Sequence, residues 1–354
     1  MSKFLVNKYQ TIEPYTPGEQ PKKGSLIKLN TNESPFPPSP KAVEAIAQAS
    51  RDLNLYSDPE CRVLVSAIAE YYGVETKNVI ATNGSDETLA FCFQAFCDEN
   101  TPAVYPDITY GFYKVFAKLY SVESRVMPLK ADFSVDPQDY MSAGGTVFLA
   151  NPNAPTGMAL SLTDVEKIAL SNPENVVIID EAYVDFGGES AVELTRRLSN
   201  LLVVQTCSKS RSLAGGRIGF AIGSQALIDD LRKIKYSFNP YNVGALPQAA
   251  AAAAIRDREY FEACRASVIE NREYTVSEQQ KMGLAVLPSC ANFIFVSPTR
   301  VSGQEYFAAL REKGVLVRHF TAPRVCDFVR VTIGSREQMD AYLKATKEIL
   351  EERV

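Results

Sequence analysis

Short apolar runs alternate with longer amphipathic segments between about residue 40 and residue 240. The runs predict β-strands, and the longer segments, such as 87–96 and 162–171, predict helices. The predicted strands span 78–82, 102–106, 146–151, 175–180, 201–206 and 218–223. This order predicts a layered α/β domain built around a mainly parallel sheet.

The pattern differs on either side of this region. Residues 1–40 are rich in Pro, Gly and Lys, which predicts an extended arm too irregular for a helix. Beyond residue 245, a run of alanines and a long polar helix precede predicted strands at 291–297, 315–320 and 327–334 and a final helix at 335–352. We therefore expect an arm (1–40) packing with a small α+β domain (246–354), and a large domain (41–245).

Composition narrows the class of protein. A net charge of −5 without a basic cluster disfavours nucleic-acid binding. No apolar stretch is long enough to span a bilayer, and the first residues lack the apolar core of a signal peptide, so we expect a cytoplasmic protein. The absence of C-x-x-C spacing and a single histidine, His319, disfavour a metal site. With one histidine, a lysine becomes the favoured general base.

The strongest chemical motif is SKSRSLAGGR, residues 208–217. Lys209 comes three residues after a predicted strand, and Arg217 comes eight positions later, after a Gly-Gly turn. A lysine amine can form an imine with an aldehyde cofactor, and an arginine can bind that cofactor's phosphate in a bidentate manner. A solvated basic loop is the alternative interpretation of the same residues.

A second motif, IIDEAYVDF (178–186), places Asp180 at the end of a wholly apolar strand. A buried carboxylate requires a cation, and the protonated nitrogen of a pyridine ring is one. Tyr183 lies three residues further on and can hydrogen-bond a phenolic oxygen on the same ring. The alternatives are a metal-binding Asp-Glu pair or a helix cap, although the phosphate-binding loop that usually accompanies such a pair is absent.

Two further segments follow predicted strands. NGSDE (83–87) opens a helix, so the backbone N–H groups of Gly84, Ser85 and Asp86 are predicted to bind a phosphate. The Asp86 side chain is equally consistent with a helix N-cap. LANPNAPTG (149–157) predicts a sharp turn after a buried strand.

In this order and spacing, the four segments resemble the fold-type-I pyridoxal-phosphate aminotransferases. The motifs EPYTPG, LYSDPE, PDITYGFY, GVLVRHF and FVRVTIGSREQ extend the resemblance over nearly the whole chain, towards the histidinol-phosphate aminotransferase branch. The resemblance implies a three-layer α/β/α large domain and pyridoxal 5'-phosphate as cofactor. It also implies a homodimer with active sites at the interface, and transfer of an amino group between histidinol phosphate and 2-oxoglutarate, giving imidazole-acetol phosphate and glutamate.

The resemblance also implies roles for individual residues. Lys209 is the Schiff-base lysine, Asp180 the partner of the pyridine nitrogen, and Tyr183 the donor to the phenolic oxygen. The other expected cofactor and substrate contacts are phosphate ligands (Ser85, Thr206, Ser208, Arg217), a stacking ring (Tyr110, or else a core tyrosine), a phosphate contact to the neighbouring subunit (Tyr56), an arm residue over the substrate (Tyr15) and an anion-binding pair (Arg318, Arg330).

One position departs from the family pattern, and several functional alternatives stay open. Many relatives carry Asn directly before the P-T-G turn, where this chain has Ala154 and an asparagine one position earlier, Asn153. Either Asn153 makes the cofactor contact or Tyr183 acts alone, and Arg318 is also consistent with a surface salt bridge. The rival functions are an aromatic aminotransferase, a threonine-phosphate decarboxylase, a transcription regulator with a related ligand domain, and a non-catalytic scaffold.

Overall fold

The computed structural model describes residues 2–22, 24 and 26–352. Its helices are α1 (Asn7–Gln10), α2 (Pro40–Ala49), α3 (Arg62–Tyr72), α4 (Ser85–Phe96), α5 (Phe112–Tyr120), α6 (Leu162–Ser171), α7 (Gln225–Phe238), α8 (Ala245–Arg256), α9 (Arg258–Lys281), α10 (Gly303–Glu312) and α11 (Arg336–Glu352).

The strands are β1 (Ile27–Lys28), β2 (Val79–Thr82), β3 (Ala103–Pro106), β4 (Ser124–Met127), β5 (Thr146–Ala150), β6 (Val177–Asp180), β7 (Leu201–Thr206), β8 (Gly219–Gly223), β9 (Ala285–Val286), β10 (Phe293–Ser297), β11 (Val315–Leu316), β12 (Arg318–His319) and β13 (Val329–Thr332).

Seven strands form the large sheet, in the order β2-β8-β7-β6-β5-β3-β4. Strand β8 is antiparallel to both its neighbours, and the other described pairs are parallel. Side chains alternate between the two faces, so that Val177 and Ile179 pack on α3, α6 and α8, whereas Ile178 packs on α4, α5 and α7. The predicted three-layer α/β fold is confirmed. Strand β4 escaped prediction because three of its four residues are exposed at the sheet edge.

The small domain consists of an antiparallel sheet, β12-β13-β10-β9, covered by α9, α10 and α11. Two findings concern its boundaries. The predicted strand 315–320 divides into β11, which pairs with β1 of the arm, and β12, which pairs with β13. Helix α8, which the sequence analysis assigns to the small domain, packs on the large sheet's core through Ala250, Ala251 and Ile255.

The arm is mostly extended, as predicted, apart from the single turn of α1. It lies on the small domain through the pairing of β1 with β11 and through the bidentate ion pair of Glu19 with Arg311. Across the described ranges, no helix is both long and apolar enough to cross a membrane. The strand pairing and the ion pair therefore hold the arm on the small domain.

Candidate active site

A cavity of about 1180 Å³ lies at the carboxyl edge of the large sheet, between the arm and the small domain. Strands β2, β6 and β7 all end there, because they run in one direction. Most of the residues that the sequence singled out line this cavity: Tyr15, Ser85, Asp86, Tyr110, Asp180, Tyr183, Thr206, Ser208, Lys209, Arg217, Arg318 and Arg330.

Lys209 lies three residues beyond the end of β7 and is half-buried in the cavity wall. Its Nζ donates a hydrogen bond to the Thr31 carbonyl at 3.3 Å and lies 5.7 Å from the centre of the Tyr183 ring. Within the described part of the chain, its ammonium makes no other hydrogen bond and no ion pair. The amine therefore faces the cavity and is not a residue of a solvated loop.

Asp180 ends β6 and is 4% exposed. Burial raises the pKa of this carboxyl from 3.8 to about 7, against the opposing effect of the Tyr113 hydroxyl, which donates to Oδ2 at 3.1 Å. The nearby Asp86 also raises this pKa, and the Ala182 N–H and Lys209 lower it. A group that is so costly to ionise gains most from a cation placed in the cavity.

An anion-binding cradle surrounds the first turn of α4. Gly84 precedes the helix with φ +82°, and a Cβ at this position would lie 2.6 Å from Nη2 of Arg217. Gly219, at the start of β8, is equally restricted, since a Cβ there would lie 2.3 Å from the Ser85 nitrogen. Two glycines thus let the free N–H groups of α4 and a guanidinium approach one point. Thr206 and Ser208 line the same cavity and are hydrogen-bonded to each other at 2.8 Å.

The Asp86 side chain does not cap α4. It accepts hydrogen bonds from the Tyr110 hydroxyl at 2.5 Å and from Arg217 at 3.2 Å. Asp86 therefore aligns the Tyr110 ring and the cradle's guanidinium. Burial raises the pKa of Tyr110 well above its ordinary value, so this phenol stays a hydrogen-bond donor.

Asn32 is a site residue that sequence reasoning missed. Its Nδ2 donates to the Tyr183 hydroxyl at 3.0 Å, and it lines the cavity with a left-handed φ of +56°. Its backbone N–H and its side-chain oxygen are both hydrogen-bonded to the hydroxyl of Thr332, and its carbonyl accepts from Asn292. These partners come from the small domain, so no local sequence pattern marks the residue.

The small domain contributes cations to the cavity. Arg330 lies over the rings of Phe293 and Phe320 and donates to the Asn30 carbonyl at 3.0 Å, while its buried Nε has no partner within the described residues. Burial lowers the pKa of this guanidinium. Arg318 donates to the Thr16 carbonyl at 3.2 Å, and no described carboxylate is within salt-bridge distance of it, which excludes the surface ion pair considered from sequence.

Tyr15 brings the arm over this cavity. Its ring stacks on Phe112 at 4.4 Å, and its edge contacts the position where a Cβ on Gly111 would lie. Thr16, the next residue, accepts the hydrogen bond from Arg318. The arm, the large domain and the small domain therefore enclose one volume.

Three predicted residues, Gly84, Asn153 and Tyr56, are not among the residues that line this cavity, although Gly84 directly precedes the lining residue Ser85. The Asn153 side chain is buried within its loop, where its oxygen accepts from Thr109 at 2.8 Å and its nitrogen donates to the Ile108 carbonyl and Thr156. Ala154 lines the wall instead, so the structure places the Asn153 side chain in its own loop and not in the cavity. Tyr56 is 85% exposed and stacks on Tyr241, away from the cavity of its own chain.

Comparison with known proteins agrees with this geometry. The family model for aminotransferase class I and II matches residues 24–345. The chain belongs to this family. Similar proteins include the histidinol-phosphate aminotransferases of Clostridium botulinum (strain Langeland; 47% identical over 351 residues, 99% of each chain) and Brachyspira hyodysenteriae (48% identical over 352 residues, 99% of each chain).

Solved structures show the same fold. That of the histidinol-phosphate aminotransferase from Clostridium acetobutylicum has a TM-score of 0.86 at 23% identity and covers 92% of this aminotransferase and 100% of its own chain. That of the Sinorhizobium meliloti enzyme, in complex with pyridoxal-5'-phosphate, has a TM-score of 0.85 at 24% identity and covers 92% of this chain and 91% of its own.

The cavity's residues fit pyridoxal phosphate. The cofactor carries a phosphate, a pyridine nitrogen that holds a proton, and an aldehyde. The cavity offers an anion cradle that a Cβ at Gly84 would fill, a buried carboxylate at Asp180, and a primary amine at Lys209. Within the described residues, no group of three His, Cys, Asp or Glu is placed to hold a metal ion.

Proposed function

We propose that this chain is a pyridoxal-phosphate-dependent aminotransferase that interconverts histidinol phosphate and 2-oxoglutarate with imidazole-acetol phosphate and glutamate. The observation that carries the proposal is the cavity that Lys209 and Asp180 share with the anion cradle, whose residues Ser85 and Arg217 line it next to Gly84. The substrate assignment is supported by full-length relatives that bear the name histidinol-phosphate aminotransferase at 47–48% identity.

Each part of the cavity would hold one part of the cofactor. The first turn of α4, with Arg217, Thr206 and Ser208, would bind its phosphate. Asp180 would pair with the ring nitrogen, and Tyr110 would stack on the ring. Tyr183, aligned by Asn32, would hydrogen-bond the phenolic oxygen. When bound, the cofactor supplies an aldehyde that reacts with amines and a ring that withdraws electron density from the substrate Cα.

Lys209 acts as the proton carrier in this proposal. Its Nζ faces the cavity and is held by the Thr31 carbonyl at 3.3 Å. As a neutral amine it takes the proton from the substrate Cα, and as an ammonium it returns that proton to a neighbouring carbon. Because the lysine side chain is long and flexible, one group would be able to perform both transfers.

Arg330 and Arg318 would bind the anionic ends of both substrates. Histidinol phosphate carries a phosphate and 2-oxoglutarate carries two carboxylates, and a guanidinium fork suits either anion. The buried Nε of Arg330 has no partner among the described residues, which supports a ligand anion at this point. Tyr15, held against Phe112, would cover the substrate from the arm.

A homodimer is part of the proposal. Leu53, Leu55 and Tyr56 are 57%, 65% and 85% exposed on one short segment, and Tyr241 stacks on Tyr56. An apolar patch of this kind is typical of a protein interface. In a dimer, Tyr56 would contact the cofactor phosphate of the second copy. Tyr56→Ala should weaken cofactor retention, as measured by dialysis and absorbance, while leaving the fold intact.

The deciding experiment is a half-reaction scan with candidate amines, following conversion of the bound cofactor from its aldehyde to its amine form. We expect histidinol phosphate and glutamate to convert it, whereas preference for phenylalanine or tyrosine would indicate an aromatic aminotransferase. Release of carbon dioxide in place of glutamate formation would indicate a decarboxylase. Lys209→Ala should lose the reaction, and Lys233→Ala, at an exposed lysine, is the matched control.

A further inference from the structure

Tyr113 is a fully buried residue of α5, one helical turn after Tyr110. Its ring is fixed by the rings of Tyr105, Tyr110 and Phe148, whose centres lie 5.8–5.9 Å away. Such packing leaves the ring no room to turn. The hydroxyl therefore points permanently at one acceptor, Oδ2 of Asp180, at 3.1 Å.

The hydrogen bonds of Asp180 show how much depends on this hydroxyl. Oδ1 accepts a longer bond of 3.3 Å from the Ala182 N–H, and Oδ2 accepts from Tyr113. Among the described residues, no other side chain donates to this carboxylate. Burial raises the pKa of Tyr113 well above its ordinary value, so its proton stays on the phenol and remains available to Asp180.

The other charged groups that face Asp180 have opposite effects on its pKa. Asp86, on α4, repels a negative charge on Asp180, and Lys209 attracts it. Cys92, also on α4, is buried and neutral because burial raises the pKa of its thiol. Tyr113 is thus the neutral donor that favours the carboxylate from the α5 side, and removing it would raise the pKa of Asp180 further.

The same ring also supports the stacking residue. Tyr113 meets Tyr110 edge to face, at 5.8 Å and 87°. Tyr110 is in turn aligned by Asp86 through its hydroxyl. One residue therefore contacts both the carboxylate that would pair with the ring nitrogen and the aromatic side chain that would lie on the ring.

We propose that Tyr113 is a positioning residue for the cofactor, which orients the Asp180 carboxylate and keeps its negative charge directed at the ring nitrogen. It acts through Asp180 and does not line the cavity itself. This inference rests on the proposed cofactor. Its consequence is that Tyr113 sets how firmly the ring nitrogen holds its proton, and hence how strongly the ring withdraws electrons.

The test is Tyr113→Phe in the full-length enzyme, with pyridoxal phosphate labelled at the ring nitrogen. We expect about tenfold weaker cofactor affinity, the size expected for one lost hydrogen bond to a charged group. The affinity loss should be larger below pH 7 than above it, because a more easily protonated Asp180 no longer pairs with the ring. The magnetic-resonance signal of the labelled ring nitrogen should move towards the position of an unprotonated pyridine nitrogen.

Tyr306→Phe is the matched control. It removes a buried hydroxyl of the small domain, bonded to Tyr342 and Thr346, and should lower thermal stability without changing the pH profile of affinity or the nitrogen signal. Replacing Tyr113 by a ring-fluorinated tyrosine, a stronger donor, should shift both readouts in the opposite direction to Tyr113→Phe.

Three outcomes separate the hypotheses. If Tyr113→Phe binds the cofactor with the wild-type pH profile and nitrogen signal, the positioning role is wrong although the proposed function stands. If Tyr113→Phe and Tyr306→Phe lose only stability, and to the same extent, the role is structural and the inference is again overturned. If the wild-type enzyme fails to bind pyridoxal phosphate, the proposed function and this inference both fail.

Discussion

Two adjacent carboxylates at the end of β6 occupy opposite sides of the sheet. Asp180 faces the cavity, and Glu181 faces a cluster that we term the back network, formed by Tyr72, Glu181, Ser190 and Gln205. They are 4% and 2% exposed, and burial raises the pKa of each to about 7. In burial and in pKa the two are alike.

Their partners differ. Glu181 accepts short hydrogen bonds from the Ser190 hydroxyl at 2.6 Å, the Ala191 N–H at 2.6 Å and the Gln205 amide at 2.7 Å. Asp180 accepts two longer ones. Buried polar groups in folded proteins are nearly always satisfied, so an incompletely satisfied one facing a cavity indicates a ligand. The comparison shows that hydrogen-bond partners, more than burial or pKa, distinguish a ligand-binding carboxylate such as Asp180 from a structural one such as Glu181.

Asp180→Asn should give the largest effect. It should lower turnover and raise the stability of the apoprotein. We expect turnover to fall by at least about a hundredfold, because the ring nitrogen loses its anionic partner. The apoprotein should become more stable. In wild type the raised pKa of Asp180 lowers the free energy of unfolding as pH rises from 3.8 to about 7. Above pH 7 this loss of stability is complete. The variant has no carboxyl at this position and does not suffer the loss.

Thermal melts of the apoprotein above and below this pH window measure the second effect, which we expect to be on the order of 4 kcal/mol at alkaline pH. Wild-type turnover in the variant would remove Asp180 from the site. An equal loss of stability at every pH would show instead that the carboxylate is held as tightly as Glu181.

Arg330→Ala should follow in size. Among the described residues, Nε of this guanidinium has no hydrogen-bond partner, and Asp180 has only two long hydrogen bonds, so the comparison predicts a ligand contact here too. We expect KM for the phosphorylated substrate to rise about a hundredfold, the loss of a partly desolvated charge pair, with cofactor affinity unchanged. Arg330→Lys keeps the charge without the planar fork and should restore binding only in part. Unchanged kinetics in both variants would exclude Arg330 from the site.

Glu181→Gln should reverse the sign of the stability change seen at Asp180 and leave turnover nearly unchanged. The new amide group would place a donor against the donors Ser190 and Gln205, so we expect a loss of about 1–3 kcal/mol in the free energy of unfolding. Turnover per folded molecule should change by less than about threefold, since Glu181 does not line the cavity. Denaturant unfolding and active-site titration measure the two quantities. A collapse of turnover in a stable protein would make the back network part of the catalytic machinery.

The sequence predicts the strands of the large sheet more completely than the side chains of the candidate site. Apolar runs such as 201–206 match their strands, because a strand buried on both faces is apolar throughout. Lys209, Asp180 and Gly84 are also predictable, since parallel strands bring their carboxyl ends to one edge. The direction of the Asn153 side chain is not predictable in the same way, because it depends on neighbours such as Thr109 that are distant in sequence.

The roles of Tyr113 and Asn32 are not predictable from the pattern of residues along the chain. Tyr113 is an apolar position of an amphipathic helix, and only its contact with Asp180 distinguishes it from other core tyrosines. Asn32 lies in an irregular segment, and its partner Thr332 is 300 residues away in the chain. Both assignments require tertiary contacts across domains or layers, which periodicity does not encode.

Asn32→Ala should give the smallest effect. It tests whether the comparison of Asp180 with Glu181 also applies to a residue that lines the cavity and is fully hydrogen-bonded. Loss of its bond leaves the Tyr183 hydroxyl without a donor. We expect kcat to fall about threefold to tenfold, equivalent to one neutral hydrogen bond, with cofactor affinity retained. Because Asn32 has φ +56°, Ala also adds backbone strain.

Asn32→Gly separates the two causes, since it removes the side chain without straining the left-handed backbone. Both variants should lose the same factor in kcat, whereas thermal stability should fall further in Asn32→Ala. If kcat is normal in Asn32→Gly and reduced only in Asn32→Ala, the residue matters for its backbone conformation. Asn32 would then belong with the satisfied scaffold of Glu181 and not with the ligand-facing groups around Asp180.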